Sequence, residues 1–151
     1  MKWRSVSLAL GIILSSVSGI DMINKPNLKS NEQDLLIFVH EWINLCAAGN
    51  IKEAFSILDK PIDESRYFWT PEDIKEITFD HFDDGKQPMI TSPDTVEGKI
   101  RKDIFKYDNG SGWGVEYDLP MNGVVSDFTL MFDFIKSNDQ LLVILDDCHV
   151  M

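Results

Sequence analysis

Trp113-Gly114-Val115-Glu116-Tyr117-Asp118-Leu119-Pro120 is the stretch on which the fold turns. Large apolar side chains alternate with glycine or acid at every second position, and a period of two is that of a strand with one face buried. The same period runs on toward the C-terminus. Phe128, Leu130, Phe132 and Phe134 alternate with Thr129, Met131, Asp133 and Ile135, and Leu141 to Leu145 is continuously apolar, as for a strand covered on both faces. Upstream, Ile100 to Tyr107 reads as a further strand. Asp108-Asn109-Gly110-Ser111-Gly112, Pro120-Met121-Asn122-Gly123 and Lys136-Ser137-Asn138-Asp139 separate these runs with turn-forming residues. Connections this short join strands antiparallel, so the C-terminal half is a meander of about four strands.

Before Lys99 the period is helical. Ser30-Asn31-Glu32-Gln33 fits a capping box, and Leu35, Phe38, Val39, Trp42, Ile43 and Cys46 recur at three- and four-residue steps on one helical face. Gly49 stands where a left-handed C-terminal cap belongs. Asn50 starts a second helix that turns Ala54, Phe55 and Leu58 inward and is stopped by Asp59-Lys60-Pro61. After an irregular stretch carrying Tyr67, Phe68 and Trp69, Thr70-Pro71-Glu72-Asp73 caps a third helix, with Ile74, Ile77 and His81 on its inner side and Asp83-Asp84-Gly85 at its end. Helices first and an antiparallel sheet second make an α+β domain, with three helices packed on one face of a curved sheet.

The chain has 151 residues, 44% of them hydrophobic, and a formal net charge of -11. That is room for one domain with an ordinary core. Met1-Lys2-Trp3-Arg4, an apolar run from Val6 to Leu14 and small residues at Ser15, Ser16, Ser18 and Gly19 keep the order of a secretory signal. Residues 1–19 therefore read as a signal peptide, 20–29 as a linker and 30–151 as a single domain, exported to the periplasm or secreted; a cytosolic N-terminal helix is the other reading. The apolar run is too short to span a bilayer. Strong acidity argues against nucleic acid and anionic membranes, both of which demand a basic face, and leaves a basic protein or a cation as the easier partner. Cys46 and Cys148 are the only cysteines. In an exported chain they can pair, but Cys46 on an apolar helical face also reads as a free thiol acting as a small hydrophobe.

Each chemical motif fails at a definite position. His40-Glu41-Trp42-Ile43-Asn44 begins like a zinc-protease helix and has Asn44 where the second histidine ligand belongs. Asp80-His81-Phe82-Asp83-Asp84-Gly85 lacks the ligand spacing of a calcium loop. In Asp146-Asp147-Cys148-His149 the thiol and imidazole are strand neighbours and point to opposite faces; a zinc site from Cys148, Asp147 and a distant His40 or His81 is conceivable on residue type alone. Ser126-Asp127 reads as backbone-bonding residues at the start of a strand. The sequence thus names no catalytic residue, no metal ligand and no cofactor. Tyr67 and Trp69, as aromatic anchors, and Asp83 and Asp84, as acidic contacts, are the candidate partner-binding residues.

Two helices meeting at a Gly-Asn corner, a third helix and a strand meander resemble the cone-shaped fold of the nuclear-transport-factor-2-like superfamily, although Lys60 to Thr70 leaves little room for the hairpin those proteins usually carry there. Trp113 to Pro120, Ser126-Asp127-Phe128-Thr129-Leu130 and Asp146-Asp147-Cys148-His149-Val150 resemble small uncharacterised bacterial domains with a Ser-Asp-Leu-Thr strand and a His-Val tail. The two resemblances imply a bacterial source and a cone-like sheet. Small size, acidity and failed motifs lead to a non-enzymatic protein-binding or inhibitory module, of the kind in which an immunity protein masks a toxin. The alternative is a ligand-binding or hydrolase/isomerase-type cone with an apolar pocket, for which Tyr117, Asp133 and His81 are the inward polar groups. A structural accessory domain of the cell envelope is a third reading.

Overall fold

The structure, a computed structural model, describes residues 23–150. The expected signal, residues 1–19, and the first part of the expected linker lie outside these residues. Among the described residues, three helices, α1 (Glu32–Ala47), α2 (Ile51–Ser56) and α3 (Pro71–Phe82), precede four strands, β1 (Lys102–Lys106), β2 (Gly112–Asp118), β3 (Phe128–Ser137) and β4 (Gln140–Val150). The strands form one open antiparallel sheet in the order β1-β2-β3-β4, the meander that the short turns require.

The capping box of α1 sits one residue later than Ser30 predicts. Asn31 is the N-cap: its side chain accepts from the Asp34 N–H at 2.9 Å, and the Asp34 carboxylate accepts from the Asn31 N–H at 2.9 Å. Ser30 instead closes the preceding turn, accepting from the Asn27 N–H at 2.9 Å. An Asx side chain and an acid can reciprocate as Ser and Gln do, and the carboxylate also meets the positive end of the helix. Gly49 has φ +90 and ends α1 as expected. Thr70 and Asp73 form the box of α3, and Asp83 closes that helix in the left-handed region at φ 48.

One face of the sheet is buried under α1. Phe38 meets Phe134 edge-on at 6.0 Å, and Trp42 meets Phe132 at 5.2 Å. The indole Nε1 of Trp42 donates to the Ala54 carbonyl at 2.7 Å, which fixes the corner between α1 and α2. Val115, Tyr117, Leu119, Phe128, Leu130, Phe132 and Phe134 are all buried. Each large apolar side chain so buried contributes roughly 1.5–3 kcal/mol relative to exposure.

Three expectations change. The first strand is shorter than Ile100 to Tyr107, because Ile100 and Arg101 lie outside the ladder and Tyr107 begins the turn. Trp113 is only half-buried, and the Nζ atoms of Lys106 and Lys136 lie over its ring. The opposite face of β3 is not simply solvated: Thr129 and Asp133 are buried there. That last point locates the chemistry of the molecule.

Candidate functional site

Strand register decides which side chains share the outer face, the one turned from α1. Gly114 opposes Asp133 and Asp133 opposes Ile144; Asp103 opposes Glu116 and Glu116 opposes Met131; Asp118 opposes Thr129 and Thr129 opposes His149. Between Met131 and Phe132 the register slips, since Phe132 faces Leu145 while Met131 faces Asp147. Asp146 is the extra residue of this bulge. A bulge re-aims the side chains beyond it. Here it returns Cys148 to the core and leaves Asp147 and His149 outside, with His149 Nδ1 3.0 Å from Asp147 Oδ2.

Two arginines organise this face. Arg66, from the irregular segment before α3, donates from Nη2 to Asp133 Oδ2 at 3.1 Å and to Asp146 Oδ1. The Tyr107 hydroxyl donates to the other oxygen of Asp133. Asp133 is only 7% exposed, so its charge depends on these donors. Burial, then the bond to Asp133, pushes the Tyr107 phenol well above its usual range. Burial and the neighbouring Asp133 likewise raise Asp146, although Arg66 pulls it down. Burial works against the charge of Arg66, and its bonds to Asp133 and Asp146 outweigh that cost. Gly114 makes room for the arrangement: a Cβ there would lie 2.5 Å from the Phe105 ring and 2.9 Å from the Tyr107 hydroxyl. At the other end Arg101 donates to Asp103 at 2.7 Å, Glu116 at 3.1 Å and Asp118 at 3.2 Å, and the Glu116 bond leads in holding the guanidinium charged.

A second polar group ties the 88–95 segment to the core. His40 Nδ1 lies 2.9 Å from the Tyr117 hydroxyl and its Nε2 lies 2.8 Å from Asp94 Oδ1. Asn44 donates to Asp94 Oδ2 at 3.1 Å, and Ser92 donates to Asn44 Oδ1 at 2.6 Å. The bond from Asn44, then the His40 ring, holds the Asp94 carboxyl below the usual range. His40 is thus more than the helix-surface residue its motif leaves it, and Asn44, which breaks the zinc motif, is a working member of the chain. Tyr117 is 1% exposed, so the group has no reactive hydroxyl facing solvent and serves to fix the segment.

The candidate residues read from the sequence divide. Tyr67 and Trp69 pack ring against ring at 5.4 Å beside the start of α3. Tyr67 is 60% exposed, but Trp69 is half-buried and donates to the Asp146 carbonyl at 3.2 Å, so it is not a free anchor. Asp83 and Asp84 lie past the other end of α3, about 18 Å away along a helix of this length, and the structure does not join the two pairs. Tyr117, Asp133 and His81 do not converge either. Tyr117 lies on the inner face, Asp133 on the outer, and His81 is exposed with its ring 5.7 Å from that of Phe128. Cys148 in the core and Asp147 on the outer face are likewise separated; among the described residues no group of three His, Cys, Asp or Glu side chains is placed to hold a metal ion. Ser126 does what its type predicts, accepting from the Phe128 N–H at 3.1 Å and donating to the Leu119 carbonyl at 2.6 Å. Sequence reasoning missed Arg66 and Arg101, for which the only available signal was an arginine amid acids that topology brings together.

The fold and face define an α+β domain with an open antiparallel sheet whose free side is lined with acids. A family model described as a domain of unknown function (DUF7668) matches residues 57–151, and the chain belongs to that family. The match begins after α2, although Leu35, Phe38 and Trp42 of α1 share one core with the matched strands. Comparison with curated proteins and with solved structures finds no match. Among the described residues no helix is long and apolar enough to cross a membrane.

Proposed function

We propose that this domain is a non-catalytic binding module, of the immunity type, whose outer sheet face receives a basic protein partner. One observation carries the reading: Asp103, Glu116, Asp118, Asp133, Asp146 and Asp147 share that face, against the two guanidiniums of Arg66 and Arg101 and the His149 ring bonded to Asp147. The exposed Phe105 ring lies among these acids, and an aromatic face beside carboxylates suits lysine and arginine side chains. The nuclear-transport-factor-2-like cone belongs to this proposal as its shape. Its alternative, a ligand-binding or hydrolase/isomerase-type cone, needs a hollow interior, and Phe38, Trp42, Phe132 and Phe134 fill the space between α1 and the sheet. We also propose a bacterial source and export, with residues 1–19 removed; mass spectrometry of the native protein finding an intact Met1 counts against export.

Titration with a lysine- and arginine-rich peptide tests the binding face. Binding is expected to weaken steeply as salt rises, because exposed charges are screened beyond about 8 Å at physiological ionic strength. It is expected to weaken further in a Glu116→Gln, Asp118→Asn double variant. Binding indifferent to salt, or unchanged in that variant, overturns the proposal.

A further inference from the structure

The two edges of the sheet are treated differently. The β1 edge is five residues long, with Lys102 and Lys106 folded over the Tyr117 and Trp113 rings of the next strand. The β4 edge is eleven residues long and includes the uncharged run Leu141 to Leu145. A long apolar edge is a template for another strand. In this molecule it is covered by residues 59–69.

The cover has three attachments. The Asp59 N–H donates to the Val143 carbonyl at 2.7 Å, and the Asp59 carboxylate accepts from the Val143 N–H at 2.9 Å. Asp59 thereby imitates one residue of a pairing strand, its side chain standing in for a backbone carbonyl. Trp69 Nε1 donates to the Asp146 carbonyl further along the same edge. Between them Arg66 crosses to the outer face and bonds both Asp133 and Asp146. Ile62, Tyr67 and Phe68 in this segment are exposed, so side-chain burial contributes little at these positions.

We infer that residues 59–69 are a guard strap over the β4 edge, latched by Arg66, and that they hold off the β4 edge of a second copy of this chain. Register argues for that occupant. Val143 turns both backbone groups to the edge, so antiparallel pairing about a two-fold axis sets Val143 against itself, Leu141 against Leu145 and Leu142 against Ile144, all uncharged. The same operation about Ile104 of β1 would set Lys102 against Lys106, and like charges directly opposed are destabilising. A second copy therefore fits the strapped edge and not the open one.

Amide exchange and sedimentation of the full chain test the inference. In Arg66→Ala the Val143 and Asp59 N–H groups, which bond each other's residue across the edge, are expected to exchange about tenfold faster or more, the factor that loss of a charge-assisted hydrogen bond gives. The added exchange should be insensitive to low urea, the mark of local opening, while Trp42 and Phe132 keep the urea dependence of global unfolding. The variant should also self-associate at concentrations where the parent does not, and Leu142→Lys in the same background should abolish this. Trp69→Phe, which removes only the bond to Asp146, should move exchange in the same direction by less, and serves if Arg66→Ala does not fold. A urea-dependent rate at Val143 in both variants would show that the strap opens only with the whole domain. Local opening without self-association, or association that survives Leu142→Lys, would overturn the second copy as occupant.

Discussion

The Tyr117 hydroxyl lies 2.9 Å from His40 Nδ1, although 77 residues separate them. One belongs to the sheet core and the other to the flank of α1, and Asp94 continues the chain on the far side of the imidazole. Tyr117→Phe is expected to lower stability by about 1 kcal/mol, the ordinary net worth of one such bond. Chemical melts measure this, and a His40→Gln background should remove most of the difference if the bond is its source.

The pH dependence of the same group is set by Asp94. Its carboxyl is held below the usual range by Asn44 and then by His40, so its contribution is present above the unfolded value and is lost as pH falls through the lowered one. Asp94→Asn should therefore be less stable than the parent near neutrality, with the gap closing in acid. Melts of the two proteins across that range, with a gap that widens on acidification, would refute the assignment.

Trp42 bears on both sides of the fold, touching Phe132 of β3 and bonding Ala54 of α2. Trp42→Ala and Phe132→Ala should each cost about 3–5 kcal/mol. Trp42→Phe keeps most of the contact and loses the bond, so a fall of about 1–2 kcal/mol is expected. Urea midpoints for the three variants, at a common slope, give the comparison.

Cys46 and Cys148 are free and buried, and burial pushes both thiols far above their usual range. A thiolate is the reactive form, so neither should react appreciably with a thiol reagent in the native state, and both should react in denaturant. Rapid labelling of folded protein would place one of them at the surface.

What is legible in the sequence depends on the range of the interactions. Period-two alternation identifies β2 and β3, and the cap signals identify α1 and α3, because both are local. The box moves from Ser30 to Asn31 because the two residues offer similar cap chemistry and the outcome rests on which residue closes the turn before it. The outer-face cluster is hidden for a different reason. Arg66 and Asp133 are 67 residues apart and meet only after the meander is formed, and the bulge at Asp146 breaks the very alternation used to assign faces. His40 escapes notice because its motif points only to zinc, whereas its partners come from β2 and from the 88–95 segment.

Arg66 and Asp146 are bonded partners, yet their replacement should have opposite signs. Arg66→Ala leaves Asp133, nine-tenths buried in its side chain, without its guanidinium, and is expected to cost about 1–3 kcal/mol. Asp146 is another matter, because burial and then the charge of Asp133 raise its carboxyl above the ordinary value, and Arg66 only partly offsets them. A carboxyl raised in the fold takes up its proton more readily folded than unfolded. Its contribution is greatest below the unfolded value and is lost as pH rises through the folded one. At neutral pH the Asp146 charge therefore weighs against the fold, and Asp146→Asn should be as stable as the parent or more so, while Arg66→Ala is less stable. As pH falls through the raised value the advantage of Asp146→Asn should shrink, since the parent carboxyl then takes up its proton in the fold. Urea melts of the three proteins over that range decide it: an Asp146→Asn variant as damaged at neutrality as Arg66→Ala would mean that the ion pair with Arg66, and not burial beside Asp133, governs this carboxylate.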